Sequence, residues 1–235
     1  CAANIGSAAT LIGNPQNILV GEALALDFGA YLATAALPTL AGLAITWGVI
    51  RGAFALVAPG AGAPAAAPPG PLDRWQSAKG LAVAAALLAV FLATSWPREV
   101  AALAGAGLLL ASRRMASREV LGLVDWQLIV LFAGLFVVNA AVQATPAPAT
   151  ALAWLGGAGI DPAAPGWLFA LTVVLSNLVS NVPAIMLLLP VAGGPEAGAI
   201  LAVASTLAGN LFVVGSIANI IVVENARRAG VALDW

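Results

Sequence analysis

The sequence predicts an all-α membrane protein, a polytopic bundle with inverted repeats, two unwound transmembrane helices and a re-entrant hairpin. Three observations predict it. Of 235 residues, 62% are hydrophobic and 8% charged, and the mean hydropathy is +1.02, far more apolar sequence than a soluble core needs. The apolar runs are long and continuous between short polar pieces, which suits spanning helices rather than alternating barrel strands. Two of those runs are interrupted in matching ways, at Gly13-Asn14-Pro15-Gln16-Asn17 and at Gly215-Ser216-Ile217-Ala218-Asn219.

The first interruption lies inside Ala8–Ala25, between Leu11-Ile12 and Ile18-Leu19-Val20. Gly and Pro at that depth free backbone groups that lipid cannot satisfy, so protein or a water-filled cavity must supply partners. Aligning Gly13 with Gly215 also pairs Asn17 with Asn219, Ile18 with Ile220, Val20 with Val222 and Glu22 with Glu224. Two broken helices at matching places point to a transporter-type binding site.

Composition excludes several classes. The chain has no His, which removes His-based triads, His metal ligands and His proton relays. Its single Cys cannot form an intrachain disulfide. Net charge is −1 and no basic block offers itself to a nucleic acid. Arg outnumbers Lys eight to one in an Ala- and Gly-rich chain, a composition that fits a GC-rich bacterial genome and hence a multi-pass protein of the inner (plasma) membrane.

In chain order, residues 1–28 hold the first unwound helix, whose far end is marked by Glu22 and Asp27. Residues 29–57 form a transmembrane helix with Pro38 as its expected kink, and 58–79 are a Pro/Gly/Ala linker. Residues 80–143 are transmembrane helices turned at Trp96-Pro97-Arg98-Glu99 and reopened at Asp125-Trp126. Residues 144–165, without Lys or Arg, form an extracytoplasmic loop. Residues 166–193 contain Ser176-Asn177-Leu178-Val179-Ser180-Asn181-Val182-Pro183. Ser180 and Asn181 are good cap types and Pro183 suits a first turn, so this run reads as a re-entrant hairpin. Residues 197–235 hold the second unwound helix and an interfacial end.

Charge supports the hairpin. With it, Arg51, Arg74, Lys79, Arg113, Arg114, Arg118, Arg227 and Arg228 fall on one side and Arg98 alone on the other. The positive-inside rule makes the first side cytoplasmic and runs the two broken helices in opposite directions. The N-terminal hairpin that would match residues 166–193, and a helix after Trp235, are expected outside these residues.

Seven of the nine Asn lie in or beside the three interrupted segments: Asn4, Asn14, Asn17, Asn177, Asn181, Asn210 and Asn219. Asn inside a span is costly without partners; its plainer use is to tie helices together. Carbonyl ends of half-helices, with Ser and Asn oxygens, suit a hard cation such as Na⁺, and N–H ends suit an anion. None of the three segments contains Lys or Arg, and their carboxylates, Glu22 and Glu224, stand at far ends where solvation is the ordinary reading. Most of the Trp residues fall near interfaces, as anchors do.

These residues resemble the ion transporter superfamily of divalent-anion/sodium symporters, arsenite permeases and NhaD-type antiporters. Asn4-Ile5-Gly6-Ser7 through Asn17-Ile18-Leu19 is similar to that family's first unwound helix. Ser180-Asn181-Val182 is similar to its Ser-Asn-Thr hairpin tip, and Leu207-Ala208-Gly209-Asn210 through Asn219 to its second unwound helix. The resemblance implies an elevator-type secondary transporter, a homodimer, carrying a small inorganic or carboxylate anion with Na⁺ and no other cofactor. It implies that Ser176, Val179, Asn181 and Gly215 surround one sodium, with Gly13 at the other half-site. Ser180, Asn181, Val182, Ser216, Ile217 and Asn219 would face the substrate, with Asn14, Pro15 and Asn17 opposite. Val182 and Ser216-Ile217 depart from the Thr and Thr-Pro of dicarboxylate carriers, which argues against a dicarboxylate. Within transport, a NhaD-type Na⁺/H⁺ antiporter and an arsenite-type efflux permease are the alternatives. A channel is a further reading; an intramembrane enzyme finds no triad, Ser-Lys or paired-Asp arrangement.

Overall fold

The computed structural model describes residues 1–56, 73–111, 117–122, 124, 126–212 and 217–228. Every regular element among them is helical. The chain divides into two units, Cys1–Leu56 with Ala133–Trp235, and Val57–Phe132. Three described helices are long and apolar enough to cross a membrane: Phe28–Ala53, Arg74–Ala93 and Trp126–Gln143.

In the first unit, α1 (Ala2–Ser7) and α2 (Pro15–Ala23) are separated by a turn, and α3 (Phe28–Leu56) follows. Pro15 opens α2 at its first position, where its absent N–H costs nothing, and the Asn14 side chain caps the helix by accepting from Asn17 N at 2.8 Å. Gly13 admits no substitute. A Cβ there would run into the Ser7 carbonyl, with the carbonyl carbon itself at 2.8 Å. α2 ends in a Schellman-type closure, Leu26 N donating to Gly21 O at 2.9 Å, which places Ala25 at φ 47°. An alanine in that left-handed position costs about 1 kcal/mol relative to glycine.

The second unit contains α4 (Arg74–Ala93), α5 (Arg98–Leu110) and α6 (Ser117–Gly122). Asp73 caps α4, its Oδ1 accepting from Trp75 N and Gln76 N at 3.0 and 3.1 Å. That cap starts the helix earlier than the sequence suggests, so Arg74–Lys79 are helical rather than linker. α4 and α5 pack as an antiparallel pair: Lys79 Nζ, near the start of α4, donates at 3.3 Å to Leu109 O, near the end of α5.

Beyond α7 (Trp126–Gln143), the stretch 144–165 expected as a loop contains α8 (Ala147–Gly157). Pro148 lies in its first turn, and Ile160 N closes its end on Leu155 O at 2.9 Å around Gly159 at φ 76°. α9 (Pro165–Val179) and α10 (Asn181–Leu188) are two helices folded at Ser180, and a 3-10 turn, Leu189–Val191, leads to α11 (Gly194–Ala208). α12 (Ile217–Arg228) closes the described chain.

α11 is the centre of this unit. It packs against α1, α2, α3, α9 and α10, and buries Leu201, Ala202, Ala204, Ser205, Thr206 and Ala208. Small residues make the approach possible: a Cβ on Gly198 would stand 2.9 Å from Leu26 and 3.0 Å from Leu24.

Two substitutions of opposite sign follow from these turns. Gly13→Ala should lower the thermal midpoint of the full-length protein in detergent, or abolish folded yield. Ala25→Gly should raise stability by about 0.5–1 kcal/mol. A neutral Gly13→Ala would mean that the turn adapts.

Candidate functional site

The first break frees carbonyls at Ser7, Ala8 and Thr10, and one side chain collects them. Asn17, 0% exposed, points its amide nitrogen at Thr10 O (2.9 Å), Ser7 O (3.3 Å) and Tyr31 Oη (3.1 Å). Tyr31 in turn donates to Ala8 O at 2.8 Å. Two side chains therefore stand in for the helical N–H groups that the break removes.

Asn14 is equally committed. Its Oδ1 caps α2, and its amide nitrogen donates to Ser7 Oγ at 2.9 Å and to Thr206 Oγ1 at 3.1 Å. Gln16 donates to the same hydroxyl at 3.3 Å, and Asn4 to the Thr206 carbonyl at 2.8 Å. The sequence-predicted Asn14 and Asn17 thus meet in one buried network, and Pro15 and Gly13 lie exposed at its edge.

The second break repeats the first. Asn219 donates to Gly209 O at 2.7 Å, ten residues back, as Asn17 does to Ser7 O. The turns match as well: Ala8 N→Ile5 O and Asn210 N→Leu207 O, then Ala9 N→Gly6 O and Leu211 N→Ala208 O. The second helices open at Pro15 and Ile217. Every one of these pairs is separated by 202 positions, the spacing of Gly13 and Gly215 and also that of the directly bonded Asn4 and Thr206. A residue that touches its own repeat counterpart lies beside the axis relating the two repeats. Gly215 and Ser216 lie outside the described residues, and of Ile217 only its place at the start of α12 is described.

At the hairpin, Ser180 adopts φ 75°, ψ 161°, a region otherwise left to glycine that costs about 1–3 kcal/mol. Asn181 and Val182 beside it are buried, at 5% exposure each, whereas Val179 is 43% exposed. α10 packs against α2, which brings the hairpin to the first break.

Among the described residues four buried side-chain oxygens lack partners: Thr39 Oγ1, within α3, and three near helix C-terminal ends. Ser176 is 0% exposed, and its Oγ accepts and donates nothing, although Thr172 one turn earlier bonds back to Leu168 O at 2.6 Å. Asn177 and Asn210 pin their amide nitrogens to Val173 O (2.8 Å) and Leu207 O (3.2 Å), which leaves both Oδ1 atoms buried without a donor. Ser176 and Asn177 stand in the last turn of α9 and Asn210 just past α11, where the helix dipole is negative.

Thr206 and Tyr31 were not singled out by sequence reasoning. Thr206 is the repeat counterpart of Asn4, and Tyr31 is the chain's single Tyr; either fact could have found them. A separate cavity of about 500 Å³ lies between α3 and α11, lined by Asp27, Tyr31, Thr34, Phe169 and Glu196 among others, and no predicted site residue lines it.

Strain at the tip yields a test. Ser180→Gly should stabilise the full-length protein by about 1 kcal/mol, whereas Ser180→Ala should not, because alanine keeps the penalised φ. Equal thermal midpoints for the two variants would remove the strain.

Comparison with known proteins identifies a family. Residues 1–208 match the model of the CitMHS family, described as citrate transporter. An uncharacterized transporter of Mycobacterium tuberculosis is 28% identical over 256 residues, covering 100% of this chain and 59% of that protein. The 46 kDa membrane protein of Mycobacterium leprae is 28% identical over 259 residues, 100% of this chain and 60% of its own length. The silicon efflux transporter LSI3 of Oryza sativa subsp. japonica is 33% identical over 125 residues, 45% of this chain and 24% of its own. The chain thus spans about three-fifths of the mycobacterial relatives. No solved structure matches. With a family model covering most of its length, the chain belongs to the citrate transporter family of the ion transporter superfamily.

Proposed function

We propose that the protein is a secondary active transporter that moves a small anion across the inner membrane, coupled to Na⁺, by an elevator-type motion of a homodimer. The observation that carries this reading is the set of partnerless acceptor oxygens, Ser176 Oγ, Asn177 Oδ1 and Asn210 Oδ1. Buried oxygens without donors are costly unless something electron-poor visits them. A hard cation bound by side-chain and helix-end oxygens fits that demand. The interrupted segments contain no Lys or Arg. Attraction for an anion therefore comes from bound cation and from helix N-termini such as that of α10, which opens at Asn181.

The substrate is a compact anion or oxyacid. The family's description names citrate. The buried Val182 offers no hydroxyl to a carboxylate, and a relative is described as a silicon efflux transporter. That relative supports a second reading, efflux of a small oxyacid.

Uptake and efflux of citrate, sulfate, arsenite and silicic acid by full-length protein in proteoliposomes, with and without Na⁺ and pH gradients, decides between these. Flux of one of them driven by a Na⁺ gradient is expected; proton movement driven by Na⁺ with no flux of any of the four would overturn the reading. Asn181→Ala and Asn219→Ala should abolish transport while the protein still inserts.

Ser176→Ala separates site from scaffold. Without Na⁺ it should be as stable as the parent or about 1 kcal/mol more so, because a partnerless buried hydroxyl is gone. Its half-saturating Na⁺ concentration should rise about tenfold, as loss of one cation ligand worth about 1.4 kcal/mol requires. Unchanged Na⁺ dependence would remove Ser176 from the ion site.

A further inference from the structure

We infer that Thr206 is the positioning residue that couples the two breaks, so that events at one half of the site reach the other. This rests on the reading that both breaks belong to one transport site. Thr206 is 0% exposed, lies in the last turn of α11 two residues before its end, and uses its hydroxyl fully. The hydroxyl donates to Ala202 O at 2.8 Å and accepts from Asn14 at 3.1 Å and Gln16 at 3.3 Å, while Asn17 Oδ1 stands 3.4 Å away. One donor and two acceptor positions are all a hydroxyl has.

The partners belong to the other repeat. Asn14 is the cap of α2 and Gln16 lies in its first turn. The carbonyl of Thr206 receives Asn4, from the helix that runs into the first break. α11 itself runs into the second break, where Asn210 carries a partnerless oxygen and Gly209 receives Asn219. A shift at the end of α11 therefore moves the acceptor on which the cap of α2 is hung. Hydrogen bonds in a setting of low dielectric are stronger than in water and polarise one another, so the geometry of one bears on the next. The network's physical content is a contiguous set of hydrogen bonds; a shared response of both ends is what gives it the status of a coupling.

Thr206→Val keeps the shape and removes the hydroxyl; Thr206→Ser keeps the hydroxyl. Amide hydrogen exchange on the full-length protein reads the consequence without any assumption about transport. In choline chloride, Thr206→Val should raise exchange about tenfold at the amides of Asn17 and Ile18, which bond to the Asn14 side chain and carbonyl, the effect of losing one or two ordinary hydrogen bonds, and Thr206→Ser should match the parent. In NaCl, the parent should gain protection both beyond the end of α11 and at residues 14–18, and Thr206→Val only beyond α11. Exchange in Thr206→Val that stays at the parental level, or rises only within α11, overturns the inference. So does a Thr206→Ser variant as loose as Thr206→Val. If Thr206→Val does not fold, Asn14→Ala decides from the opposite end: loosening must then extend to residues 205–209, and loosening confined to α2 overturns the coupling. A parent indifferent to NaCl would refute sodium coupling, while the comparison in choline chloride still decides the role of Thr206.

Discussion

A helix that stops among packed helices must find partners for the backbone groups it releases, and this requirement shapes the first unit. At the first break the released carbonyls of Ser7, Ala8 and Thr10 are met by the Asn17 amide and the Tyr31 hydroxyl. Those two side chains fix where α2 and α3 leave the break. Asn14 and Gln16 then tie α2 to α11, around which the other helices pack. The polar residues thus do first what an uninterrupted helix does with its own N–H groups. Among the described residues, the buried oxygens left over after that, at Thr39, Ser176, Asn177 and Asn210, are available for other partners.

That division alters the meaning of the sequence-predicted residues. Asn14 and Asn17 have their amides occupied, so their part is to hold the break open at a set geometry. Ser176 has the opposite character: fully buried and without a partner. The hairpin that contains Ser176 carries Ser180 in a conformation that favours glycine, and both residues that follow Ser180 are buried. Strain is thus retained at a half-buried tip, where a glycine would relieve it.

Much of the fold was legible because membrane helices announce themselves by length and composition, and because Gly, Pro and Asn in apolar runs are too costly to be accidental. The elements that escaped were decided by local capping. The stretch 144–165 reads as loop from its lack of Lys and Arg, yet Pro148 stands in the first turn of α8 and Gly159 closes its end; Asp73 starts α4 ahead of the apolar run. At the site, Asn14 and Asn17 stood out by cost. Thr206 did not, since a helical Thr that bonds back to its own turn is common. Its role comes from partners about 190 positions away, which no local pattern encodes. Tyr31 was hidden for the same reason.

The contact between Asn4 and Thr206 also bears on symmetry. Because each is the other's counterpart, identical residues at both positions would face their own copies across the axis, and any bond made once could be made twice. Two Asn would give two reciprocal side-chain-to-carbonyl bonds, with no hydroxyl for Asn14 and Gln16 to share. The unlike pair makes the two-fold arrangement largely directional: the first repeat donates from Asn4, Asn14 and Gln16, against one long return contact from Thr206 Oγ1 to Asn17 Oδ1 at 3.4 Å. At this one contact the two segments are therefore related by form but not by chemistry, and they meet where exchange of one for the other would be felt first.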